Sequence, residues 1–131
     1  MHKTLNPEGW KPARGYANGM VAKGQTIFLA GQIGWDGNQE FQSDDFVEQT
    51  RQALANIVTL LGEAGATPDN LVRLTWFITS RDEYLAAQRE IGDAYRDTLG
   101  RVFPTMSVVE VTSLMEARAR VEIEATAVIP E

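Results

Sequence analysis

The chain has no cysteine, so it holds no disulfide, no thiolate nucleophile and no cysteine-based metal site. It has one histidine, His2, at a terminus expected to be mobile. That excludes a histidine-centred triad or a histidine-rich zinc centre, and no metal is expected. No apolar run approaches the roughly 20 residues needed to cross a bilayer. The first residues, 1–7, lack the apolar stretch of a secretory signal. The expectation is a cytoplasmic protein with no membrane partner. Positive charge is also short, with 12 Lys and Arg against 18 Asp and Glu, a net charge of −6. An acidic chain without a basic stripe repels phosphate backbones, so no nucleic-acid partner is expected. Repeats, linkers and low-complexity runs are missing too. The 131 residues suit one domain, 1–131, with room for a sizeable core.

What is present is an alternation of strand-like and helix-like segments. Tyr16–Val21 reads as a first strand. The β-prone run Gln25–Gly31 follows Lys23-Gly24, which suggests a hairpin. A helix is predicted over Asp44–Ala64, where Phe46, Ala53, Leu54, Ile57, Leu60, Leu61 and Ala64 recur at helical spacing. Ser43, Asp44 and Asp45 offer capping oxygens at its start, and Gly65 suits its end. Leu71–Thr79 reads as a buried strand. Ser80-Arg81-Asp82-Glu83 reads as a capping box opening a second helix, whose inward face carries Tyr84, Ala87, Ile91, Ala94, Tyr95 and Thr98 before Gly100. Strands near Met106–Thr112 and Arg120–Val128 follow; in the last, Val121, Ile123, Ala125 and Ala127 alternate with polar residues. The order ββ-α-β-α-ββ predicts an α+β or α/β sandwich, with two helices on one face of a mixed sheet. The other face, partly polar, needs a cover, and a subunit interface is the natural one.

Several short motifs occur in one order along the chain: Ala30-Gly31-Gln32-Ile33, then Gln49-Thr50-Arg51-Gln52-Ala53-Leu54-Ala55-Asn56-Ile57, then Pro104-Thr105-Met106-Ser107-Val108-Val109-Glu110-Val111, then Val121-Glu122-Ile123-Glu124-Ala125. Together they resemble the Rid (YjgF-type) family of small enamine/imine deaminases, over nearly the whole chain from Gly15 to Ile129. The resemblance implies a chorismate-mutase-like fold, a homotrimer, and small-molecule clefts between subunits. No cofactor is expected. It also exposes a departure. The family's P-x-R-S motif uses its arginine to fork onto a substrate carboxylate, a geometry that even lysine does not reproduce. Met106 stands at that position and offers polarizable apolar surface instead.

The resemblance makes Glu122 the water-activating carboxylate, a general acid/base in the cleft. The bland alternative is a solvated glutamate on an alternating strand. Because the Ser113–Ala119 loop is one residue longer than the family's spacing, Glu124 is a second candidate. Tyr16 matches the tyrosine of the family's G-P-Y without its proline, and would wall the cleft or simply pack. Gly31 matches a glycine allowing close ligand approach, although a turn would also select it. Gln88 takes the place of a helix asparagine, or is an ordinary helix-surface glutamine. Trp35 would stack on a flat ligand, whereas Trp76 reads as core. Ser107, beside Met106, completes the substrate-binding set. Arg14 and Arg89 are the arginines nearest these motifs that could replace the missing cation. The expected function is a hydrolase of enamine or imine C–N bonds with altered substrate specificity. The alternative is a trimer of the same fold that binds small molecules without catalysis, or acts like a chaperone.

Overall fold

The longest β-prone runs lie side by side in one sheet. The computed structural model describes residues 2–131. Its strands are β1 (Lys3–Leu5), β2 (Gly19–Val21), β3 (Gly24–Ile33), β4 (Leu71–Ile78), β5 (Thr105–Glu110) and β6 (Val121–Pro130). Four of them form a mixed sheet in the order β3-β6-β4-β5, with β4 and β5 parallel and β6 antiparallel to both its neighbours. The fold is thus mixed α+β, as the pattern predicts.

The suggested hairpin between the first two predicted strands does not form. β2 begins only at Gly19 and pairs antiparallel with β1, a short strand the sequence pattern did not reveal. β3 pairs instead with β6. The physical reason is length and register: two ten-residue strands match Leu29 to Ala125 and Ile27 to Ala127 across the pair, putting one apolar set on the helix side. Gly24 opens this ladder at φ +148°, where a Cβ would lie 1.9 Å from the Ile129 carbonyl oxygen. His2 is also tied down, its Nε2 donating to the Asn70 carbonyl at 3.1 Å rather than lying free.

Helix α1 (Phe46–Glu63) starts where Asp45 accepts a hydrogen bond from the Glu48 amide at 3.0 Å. It ends before Gly65, whose φ of +75° suits glycine. Its buried side is narrower than the predicted stripe: Leu54, Ile57 and Leu61 are inaccessible, Leu60 is half-buried and Ala64 is exposed. The predicted second helix is two, α2 (Arg81–Ala86) and α3 (Gln88–Leu99). The break falls at Ala87, whose amide turns to the Tyr84 carbonyl. Ser80 caps α2 by accepting from the Glu83 amide. The reciprocal half of the capping box is not made; the Glu83 carboxylate faces Arg120 at 3.3 Å instead.

Both α1 and α3 lie on the same side of the sheet and close the core with Leu74 and Trp76 of β4 and Val121 and Ile123 of β6. The opposite face carries Phe28, Arg73, Thr75, Phe77, Ser107, Glu122, Glu124 and Thr126 by strand alternation and register. It is largely uncovered, with Phe28 79% exposed. No helix among the described residues is long and apolar enough to cross a membrane.

Candidate functional site

On the open face, one contact stands out from the rest. The ladder between β3 and β6 shifts register between Leu29 and Gln32, which places Gly31 at an irregularity. There the Glu122 side chain lies against the Gly31 backbone. A Cβ built on Gly31 would meet Glu122 Oε2 at 2.1 Å, so a side chain here would displace the carboxylate from its present place. Glu122 is half-buried and makes no ion pair among the described residues. Glu124, the second candidate, is exposed and lines a shallow hollow with Phe28 and Arg73. Ser107 is exposed on the same face, on the far strand β5.

Met106 points the other way. It pairs in register with Leu74, whose side chain is fully buried under the helices, and it packs against the core. β5 and β6 are separated by β4, so Met106 and Glu122 are about 10 Å apart across the sheet, displaced further along the strands because Met106 pairs with Leu74 and Glu122 with Phe77, and on opposite faces. Met106 lines a hollow of about 200 Å³ between β4, β5 and the α2–α3 pair. Its walls are Trp76, Tyr84, Ile91, Tyr95, Phe103 and Met106, and Gly15 and Gln88 also border it. Gln88 and Met106 thus border the same hollow. Tyr16, 42% exposed, hangs beside Gly15, where the Ala17 amide donates to the Pro104 carbonyl at the β5 edge.

The aromatic walls are held from behind. The Tyr95 hydroxyl donates to the Val102 carbonyl at 2.6 Å, and its ring stacks on Phe103 with centroids 6.4 Å apart. Tyr84 packs edge-on against Phe46. Burial raises the hydroxyl pKa of both tyrosines, so they stay neutral at physiological pH. Neither the hollow nor these walls could be read from the sequence, where Trp76 reads as core. The inward periodicity of Tyr84, Ile91 and Tyr95 was the one available signal.

Trp35 lies apart from both groups. Its ring packs at 5.9 Å on Phe41, and its carbonyl accepts from the Asn56 side chain at 2.8 Å, fixing it beside α1. Arg14 and Arg89 are exposed, and neither borders the hollow at Met106. Arg96 does, but it is paired with Asp93. The loop leading into Glu122 is anchored by a residue whose role the motif alone did not explain. Buried Gln49 donates to the Ser43 and Arg118 carbonyls and accepts from the Arg120 amide at 2.8 Å. Gly34 must lack a side chain to admit it, since a Cβ there would lie 2.5 Å from Gln49 Cβ. No group of three or more His, Asp or Glu among the described residues could hold a metal ion.

Comparison with known proteins covers almost the full chain. The family model described as Endoribonuclease L-PSP matches residues 8–129. The 2-iminobutanoate/2-iminopropanoate deaminase of Salmonella typhimurium is 31% identical over 129 residues, 98% of each chain. The Rid-family protein YyfB of Yersinia pestis, of unknown function, superposes with a TM-score of 0.85 at 31% identity over 98% of each chain. TdcF of E. coli, solved with bound serine, matches at 30% identity and a TM-score of 0.68, covering 97% of this chain and 98% of its own.

Proposed function

The chain belongs to the Endoribonuclease L-PSP family, that of the Rid and YjgF proteins, and from that membership we propose that it hydrolyses the C–N bond of an enamine or imine. The observation that carries the reading is the Glu122 carboxylate held against a side-chain-free Gly31. In the proposed reaction an enamine is first protonated at carbon to its iminium form. Glu122 takes a proton from a water as its oxygen attacks the iminium carbon. The carbinolamine then collapses: the nitrogen takes up a proton and leaves as ammonia, and the oxygen loses its proton to give the carbonyl product. Glu122 is the proton carrier throughout. The net charge of −6 and the lone histidine favour this reaction over the RNA cleavage in the family's description.

The active cleft is an intersubunit one. Met106 and Gln88 on the helix side and Gly31 and Glu122 on the open face cannot meet within one chain. A homotrimer that sets the β5 edge of one copy against the open face of the next joins them, and also covers exposed Phe28. Met106 changes the specificity of that cleft. An arginine–carboxylate fork contributes a few kcal/mol, about 1.5–3 per charged hydrogen bond, which methionine cannot supply.

The test is ammonia release from imines generated in situ from a panel of amino acids, including freshly formed 2-aminoacrylate. Acceleration with apolar or aromatic imines, and little with 2-aminoacrylate, is the expected result. No acceleration with any imine overturns catalysis and leaves the trimer a small-molecule binder. Turnover of 2-aminoacrylate at the rate of an arginine-bearing relative overturns the change in specificity.

A further inference from the structure

We infer that the hollow beside Met106 recognises an uncharged ring bearing a hydrogen-bond acceptor, such as an aromatic amide, and that Trp76 is the residue that reads the acceptor. This deepens the proposed function by naming a ligand class for the same cleft, and it rests on that reading only for the chemistry, not for the binding.

Size is the first argument. About 200 Å³ slightly exceeds the roughly 150 Å³ of an apolar cavity that takes up benzene, leaving room for one ring and a short substituent. Surface chemistry is the second. Six of the bordering residues are aromatic or aliphatic, and the ring walls are already fixed by the Tyr95–Val102 hydrogen bond and the Tyr84–Phe46 contact. A rigid apolar wall binds a ring without first having to be ordered.

Charge is the third. Among the described residues, Arg96 is the only charged one bordering the hollow, and it is already shared with Asp93 in a half-exposed ion pair. A carboxylate placed here would lose its water and gain no free cation, so an anionic ligand is disfavoured.

The fourth argument is an unmet donor. The Trp76 indole Nε1 is buried without any hydrogen-bond partner, alone among buried side-chain nitrogens and oxygens of the described residues. A buried donor left unpaired costs about 1–3 kcal/mol, and a bound acceptor recovers it. Met106 lies diagonally across from Trp76 on the neighbouring strand and on the same face. Its unbranched thioether can swing aside to admit an acceptor, which an aliphatic branched side chain could not do as readily. Gln88, at the rim, adds a second neutral polar group.

The experiment titrates the isotope-labelled full chain with benzamide, benzoate and acetamide. The readout is the Trp76 indole N–H resonance, assigned by its absence in Trp76→Phe. Benzamide and benzoate share a shape and differ in charge, whereas acetamide keeps the acceptor and lacks the ring. Benzamide is expected to move the Trp76 resonance saturably, downfield as it gains an acceptor, with benzoate at least about tenfold weaker and acetamide not saturating. Met106→Arg should reverse the benzamide-to-benzoate preference. An unmoved Trp76 resonance up to the solubility of benzamide, or benzoate binding as tightly as benzamide, overturns the assignment. The same titration on Glu122→Gln separates the two claims. Benzamide binding that persists there while no imine is turned over by the native chain removes the catalytic reading and leaves this one standing. Imine turnover without benzamide binding does the reverse.

Discussion

One side of the four-stranded sheet is a dry core and the other is a nearly bare surface, yet each carries half of the candidate cleft. On the covered side, Leu74, Val121 and Ile123 are inaccessible, and the Met106 hollow is a local gap in otherwise close packing. On the bare side, Phe28 stands 79% exposed beside Arg73, and the Glu122 carboxylate rests on Gly31. The difference teaches a division of labour. The covered face holds the chain together and leaves an apolar hollow at Met106. In the proposed function the bare face supplies the proton-carrying carboxylate and the surface on which another copy of the chain would sit.

If that division is right, substitutions on the two faces separate activity from stability. The largest expected effect is Glu122→Gln, which keeps size and hydrogen bonding but cannot take a proton. A drop in kcat of about 10²–10⁴-fold is expected with the melting temperature nearly unchanged. An equal loss of both would place Glu122 in the fold rather than the chemistry. Next is Leu74→Ala, under the helices, expected to lower stability by about 2–5 kcal/mol in denaturant unfolding. Phe28→Ala is its counterpart. On a face that is bare in the isolated chain it should change monomer stability by no more than about 0.5 kcal/mol, and act on sedimentation through assembly instead. A Phe28→Ala chain that unfolds as easily as Leu74→Ala breaks the comparison.

Gly31→Ala sharpens it further. The added methyl would sit 2.1 Å from the carboxylate oxygen, so Glu122 must move. A shift of about 1 Å in a reacting group can reduce rate by on the order of 10²-fold. The expected outcome is a fall in kcat of up to that size, smaller than for Glu122→Gln, with KM for the ring-bearing substrate little changed because its pocket lies on the other face. A rise in KM alone would mean that Gly31 serves binding, as the ligand-approach reading of its sequence motif suggests.

Much of this arrangement is legible in the sequence. The 3.6-residue spacing of α1 and the two-residue alternation of β6 mark their buried sides, and these two elements are the plainest in the sequence. Of the three capping candidates Ser43, Asp44 and Asp45, it is Asp45 that caps, and the glycine stop at Gly65 is plain in the sequence. Local signals failed where a longer pairing outcompeted them: Lys23-Gly24 looks like a hairpin turn, but eight residues of β3 pair with β6, more than the three of β2 could offer. The break at Ala87 is hidden because Tyr84, Ala87 and Ile91 keep helical spacing in the sequence across it. For the site, motif positions identified Gly31, Gln88, Met106 and Glu122 as candidates, but spacing along a chain does not say which face of a sheet a residue joins. The separation of Met106 from Glu122 follows from the register of β4 against β5 and β6, a long-range property. The hollow around Trp76 is a packing defect, and no periodicity encodes one.

The smallest expected effect tests the tie between the two faces. Asp44, just ahead of α1, bonds to Arg118 Nε at 2.8 Å, in the loop that leads into Glu122. That hydrogen bond holds the Asp44 carboxyl below its ordinary value of 3.8, with the charge of Arg118 adding to it. A carboxyl whose folded-state pKa is depressed binds protons more readily when unfolded. Its stabilising contribution is therefore complete above 3.8 and disappears as the pH falls through the lower, folded-state value. Asp44 is fully exposed, so salt screens the pair and the effect is small. Thermal unfolding of the native chain and of Asp44→Asn should differ slightly near neutral pH and low salt. The difference should narrow on acidification below 3.8 and with added salt. A gap that persists in strong acid cannot come from the carboxylate charge, whereas no gap at any pH would leave the link between α1 and the Glu122 loop to buried Gln49, whose three hydrogen bonds do not titrate.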